Sequence, residues 1–124
     1  MTAIERFEDI KAWQEARELT RMVYAVSIRG AFAKDYRLRD QIQGSAISVM
    51  SNIAEGFDAQ TDRQFVQFLG YARRSATELQ SQLYTALDQN YITQEEFDQI
   101  YTQAKKTKGL IGGFIRYLEG RHRT

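Results

Sequence analysis

Apolar residues recur at steps of three and four along nearly all of this 124-residue chain, in four runs joined by short links, and no proline interrupts them. That spacing puts side chains on one face of an α-helix, and proline is the residue that helices tolerate least. The first run, about residues 8–29, carries Ile10, Trp13, Ala16, Leu19, Val23 and Val26. The second, about 36–55, carries Leu38, Ile42, Ala46, Val49 and Ile53. Phe65, Phe68, Ala72, Ala76, Leu79, Leu83 and Ala86 mark the third, about 62–89. Phe97, Ile100, Ala104, Thr107, Ile111, Phe114 and Leu118 mark the fourth, about 94–119. No stretch alternates for long at the period of two that a half-buried strand needs.

The ends of the runs carry their own signals. Asp35 can cap the second helix by accepting from an orphan first-turn amide. Thr61 with Gln64, and Thr93 with Glu96, have capping-box spacing. Gly30, Gly56 and Gly120 are natural stops. The links at 30–35, 56–61 and 90–93 are too short for anything but antiparallel neighbours. The chain is therefore expected to be one all-α domain over 1–124, an antiparallel up-down-up-down four-helix bundle. Gly44 inside the second run, beside Ser45, Ala46 and Ser48, predicts close approach of another backbone. Gly109, Gly112 and Gly113 predict a close helix or subunit approach in the fourth.

Composition removes most chemistry. Without cysteine there is no disulfide, thiolate metal site or thiol nucleophile, which fits a reducing compartment. The single histidine, His122, lies past the last helix between Arg121 and Arg123, a poor place to hold an imidazole in register for a triad. Di-iron bundles need two Glu-x-x-His strings, and this chain has only Glu119-Gly120-Arg121-His122. The glycines follow no strand and match no phosphate-binding loop. The expectation is no catalytic residue, no metal and no cofactor. The longest apolar stretch, Leu110–Ile115 with two glycines in it, is far too short to span a bilayer. The opening Met1-Thr2-Ala3-Ile4-Glu5-Arg6 has no apolar leader core. A soluble cytoplasmic protein without membrane contact is expected.

What remains is charge. The net charge is only +1, yet residues 99–124 hold Lys105, Lys106, Lys108, Arg116, Arg121 and Arg123 against Glu119 alone. Lys105, Lys108, Gly112 and Arg116 fall on one helical stripe, with Lys106 beside it, and the third run adds Arg73 and Arg74. Lysines and arginines in such a stripe bind phosphates by releasing condensed counterions, and they read no sequence. These six bases are the candidate nucleic-acid-binding residues. The plainer reading is a solvated face in which Arg74 and Glu78 pair. Tyr71, Tyr84, Tyr101 and Tyr117 lie off the core seams, either covering bundle edges or forming a subunit interface. Two functions stay open: an oligomer that binds RNA or DNA, and a protein-interaction scaffold or adaptor.

Three motifs carry a resemblance. Phe7-Glu8-Asp9-Ile10-Lys11-Ala12-Trp13-Gln14, Ser51-Asn52-Ile53-Ala54-Glu55-Gly56-Phe57 and the run Phe65–Leu83 resemble, in order, signatures of the 23S rRNA-intervening-sequence proteins. Asn90-Tyr91-Ile92 is similar to the family's G-Y-I before its last helix. The resemblance implies a small bacterial four-helix bundle, often a homopentamer. A related branch, the accessory variability determinant of diversity-generating retroelements, binds nucleic acid and a reverse transcriptase through a basic surface. RNA or DNA, a reverse transcriptase and copies of the chain are thus the partners implied. Gln43-Gly44 stands where relatives have an arginine pair, removing two bases. Met50 stands where they have proline, which predicts a straighter second helix. Asn52, Glu55 and Glu78 lie beside the core stripes. They are expected to bond across the second and third helices, toward Arg73 or Arg74, as a structural polar network.

Overall fold

A computed structural model describes residues 4–121, so His122 and Arg123 lie outside the described residues. The four runs become α1 (Lys11–Ser27), α3 (Tyr36–Phe57), α4 (Asp62–Asp88) and α5 (Gln94–Gly120). Two further elements lie outside the four long helices: a 3-10 turn at Phe7–Asp9 and a five-residue α2 at Gly30–Lys34. Among the described residues there is no strand.

These short turns make the first helix shorter at both ends than the expected 8–29. At its start the Phe7 ring meets Trp13 edge-on at 5.1 Å, and the Gln14 amide donates to Glu8 O at 2.9 Å. Past its end, Gly30 adopts a left-handed φ of +55°, and the link at 30–35 coils into α2 instead of running as a loop. The reason is Phe32, which is fully buried and stacks on Tyr91 at 5.1 Å. The Tyr91 hydroxyl donates to Asp35 at 2.9 Å, while Asp35 caps α3 by accepting from Leu38 N at 3.2 Å. This end of the bundle is thereby clamped.

The other caps follow from local chemistry. Thr93 and Glu96 exchange both capping-box bonds, at 3.1 and 2.9 Å. Thr61 accepts from Gln64 N, but the Gln64 side chain takes the Gln60 amide, so that box is only half formed. Helix α4 ends with Asn90 at φ +61°, the Tyr91 amide donating to Ala86 O and the Asn90 amide to Leu87 O. That is a Schellman ending, which needs a left-handed residue at position 90. Met50 lies inside an unbroken α3.

Contacts at all four long-helix interfaces run in opposite senses. Between α1 and α3, Ser27 meets Gln43 and Thr20 meets Ala46. Between α3 and α4, Ser45 meets Gln82 and Ser48 meets Ser75. Phe97 meets Tyr84 and Phe114 meets Phe65 between α5 and α4, and Arg29, just past α1, meets Glu96 as Glu15 meets Gln103 on α5. The helices therefore close a ring of antiparallel neighbours.

The expected stripes are buried almost throughout. Trp13, Phe68 and Phe114 are only half-buried, and on α4 Leu69 takes the core position instead of Phe68. Spacing alone allowed either, because both follow Phe65 by three or four residues. Ala16, Ala46, Ala76 and Ala104, one from each long helix, are fully buried where two apolar clusters meet. Small side chains there let four helices converge. Gly44 corrects an expectation: it is exposed, and a Cβ there would meet nothing within 4 Å. The tight glycine is Gly56, where a Cβ would lie 2.8 Å from the Phe65 ring and 2.9 Å from Phe68 Cβ.

Candidate nucleic-acid interface

Residues 63–77 of α4 and 99–118 of α5 contain no Asp or Glu, while Arg63, Arg73, Arg74, Lys105, Lys106, Lys108 and Arg116 lie within them. The two helices are antiparallel neighbours, so their cationic stretches lie side by side. The joint is the Lys108 ammonium, half-buried and donating to Gln80 Oε1 at 3.1 Å. Arg73 precedes Gln80 by seven residues, two helical turns, which puts it on the same α5-facing edge of α4. The opposite sense of α5 sets Arg73 against the Gly112–Arg116 turn. Gly112 and Gly113 keep that turn low: an added Cβ would meet the Arg116 guanidinium at 3.5 and 3.8 Å, and no other helix. The expected close helix approach at Gly109, Gly112 and Gly113 is absent within the chain.

The six sequence candidates do not share one face. Arg73, Lys105, Lys108 and Arg116 line the α4–α5 face. Lys106 points the other way and pairs with Glu15 of α1 at 3.3 Å, because one residue along a helix is a rotation of about 100°. Arg74 lies over the Tyr71 ring at 5.1 Å on the outward face of α4, and no ion pair joins it to Glu78. Gln80, Tyr84 and Tyr101 belong to the α4–α5 face as well. Gln80 follows Arg73 at the two-turn interval, a signal present in the sequence once the adjacent helix is known.

The polar trio is only partly as expected. Glu78 crosses to α3, accepting from the Ser45 hydroxyl at 3.0 Å, which also approaches Gln82 Oε1 at 2.9 Å. Asn52 bonds within its own helix, to Ser48 O at 2.8 Å, and reaches α4 only through the Ser48–Ser75 hydroxyl contact. Glu55 is exposed and makes no bond to Arg73 or Arg74. The side-chain bonds across the α3–α4 seam run through Ser45, Ser48 and Ser75. No buried side-chain polar atom is without a partner among the described residues.

Electrostatics elsewhere hold the bundle. The Gln103 amide, then Lys106 and Lys11, lower the Glu15 carboxyl below its ordinary range. The Thr93 backbone amide, then Arg29, lower that of Glu96. Arg121 donates to both Asp62 oxygens, closing α5 on the start of α4, and its guanidinium is raised further by that bond. Among the described residues no three acidic or histidine side chains gather as a metal would need, and no helix is long and apolar enough to cross a membrane.

Fold and surface together define a small all-α bundle whose distinguishing face is cationic. A family model for the 23S rRNA-intervening sequence protein matches residues 8–113, and the chain belongs to that family. A crystal structure of a protein of unknown function from the S23 ribosomal protein family, from Bacteroides thetaiotaomicron VPI-5482, is similar with a TM-score of 0.77. It shares 24% identity over 85% of this chain and 95% of its own, which supports the fold. A search of curated proteins returned no significant match.

Proposed function

We propose that this protein is a non-enzymatic, oligomeric helical bundle that binds RNA or DNA through its α4–α5 face. The observation that carries the reading is the adjacency of two acid-free helical stretches whose Arg73, Lys105, Lys108 and Arg116 fall on one shared face. A surface of one sign attracts a polyanion and gains free energy by releasing its counterions. Lys105, Lys108, Arg116 and Arg73 make the phosphate contacts; Arg74 extends the field, and Lys106 serves the bundle through Glu15.

Self-assembly uses the opposite edge of α5. A depression of about 730 Å³ opens there beside the start of α1 and the last turns of α5, lined by Phe57, Leu110, Gly113, Phe114 and Tyr117, with Lys11 and Arg121 also in its wall. Apolar rings and a glycine in an open depression suit a second copy of the chain, in keeping with the pentamer that the family resemblance implies. The same depression favours the scaffold reading, in which another protein takes that place.

Retention on immobilised nucleic acid separates the two. Elution should need more salt for the wild type than for Lys105→Gln/Lys108→Gln/Arg116→Gln. Equal elution of the two proteins removes this face from the contact surface. Light scattering at rising concentration tests assembly separately; a monomer at every concentration rejects it.

A further inference from the structure

We infer that the nucleic acid held on the α4–α5 face is single-stranded, with its bases stacked on Tyr84 and Tyr101 and its phosphates running along Lys105, Lys108 and Arg116. This rests on the nucleic-acid reading above and adds the class of strand. Tyr84 is 52% exposed, unusual for a ring that is also packed. It is braced by Phe97 at 4.8 Å and by Tyr101, edge-on, at 6.0 Å, and Tyr101 stacks on Phe97 at 5.4 Å. Phe97 is itself buried, so Tyr84, exposed, and Tyr101, half-buried, stand on the core and lose little freedom when a base lands on them.

The platform adjoins the cations. Lys105 follows Tyr101 by one helical turn, and Lys108 is held in place by Gln80, itself one turn from Tyr84. From Tyr101 to Arg116 the track measures about 22 Å, enough for a few nucleotides. Sequence-tolerant binding of single strands uses this pairing of flat rings with a basic groove. A duplex keeps its bases stacked inside and offers the rings nothing, whereas unpaired bases can be splayed onto them.

The test is fluorescence anisotropy on the full chain with three labelled probes of about a dozen nucleotides: a mixed-sequence single strand, the same backbone without bases, and the corresponding duplex. Ribose and deoxyribose versions of the single strand distinguish RNA from DNA. The base-bearing strand should bind at least about fivefold more tightly than the abasic one, the effect of one stacked base. Tyr84→Leu, which keeps apolar volume against Phe97 but removes the more exposed flat ring, should reduce that advantage and leave the salt dependence unchanged. Equal binding of base-bearing and abasic strands, or preference for the duplex, overturns the inference and leaves the phosphate contacts standing. Absence of binding to all three probes overturns the phosphate reading as well. The probe comparison uses wild-type protein, so it stands whether or not the variant folds.

Discussion

Changing Gly44 and Gly56 separately to alanine should move stability in opposite directions, although both lie in α3. Gly44 is exposed in mid-helix, with nothing within 4 Å of an added Cβ. The gain there is that of glycine to alanine in a helix, about 0.5–1 kcal/mol. At Gly56 the same methyl would lie 2.8 Å from Phe65 Cδ1 and 2.9 Å from Phe68 Cβ. The Phe65 ring can swing, but a Cβ is fixed to its backbone, so α3 and α4 must part. Overpacking of this kind costs about 1–3 kcal/mol, offset by less than 1 kcal/mol of helix propensity near the helix end. Urea titrations of the two variants should therefore bracket the wild type, with unfolding free energies separated by about 1–4 kcal/mol. The same sign at both sites would refute the packing argument. Destabilisation at Gly44 alone would mean that this surface is covered by a second copy.

Other substitutions test the caps, ion pairs and contact surface. Asn90→Ala should cost about 1–2 kcal/mol by thermal melting, because alanine lacks ease in the left-handed conformation, whereas Asn90→Gly should match or exceed the wild type. Thr93→Ala should cost about 0.5–2 kcal/mol, seen as a lower urea midpoint with an unchanged slope. Glu15 and Glu96 have lowered native pKa values, so the unfolded chain binds more protons in acid. Their contribution is complete above the ordinary carboxyl value of 4.5 and is lost as pH falls through the native values. Urea midpoints should drop below pH 4.5 less steeply in Glu15→Gln/Glu96→Gln than in the wild type. Lys105→Gln should lower the slope of log affinity against log salt by about one, while Lys106→Gln should change melting more than binding.

The helices were legible because burial imposes a period, and Val23, Ile53, Leu79 and Ile111 obey it. The caps at Asp35 and Thr93 were legible because each is a short-range bond between named atoms. Phase at a single position was not: Phe68 and Leu69 satisfy the same spacing, and only the neighbouring helix selects Leu69. The turn at 30–35 is not legible in the sequence because its cause, the Phe32–Tyr91 stack, joins residues from different links. The basic stripe was legible as composition, but not its division. Lys105 and Lys106 are adjacent in sequence, yet only Glu15 on α1 tells which of them leaves the face. Likewise Gly44 has a conspicuous small-residue neighbourhood, and what distinguishes it from Gly56 is a contact with α4.

The claim that the α4–α5 face is where the protein meets nucleic acid is tested most directly by amide chemical-shift mapping with a short oligonucleotide. Shifts concentrated on residues 70–84 and 101–116, fading as salt rises, are the expected pattern. Shifts centred on the α1–α3 side, or a spectrum unmoved at low salt, would contradict it.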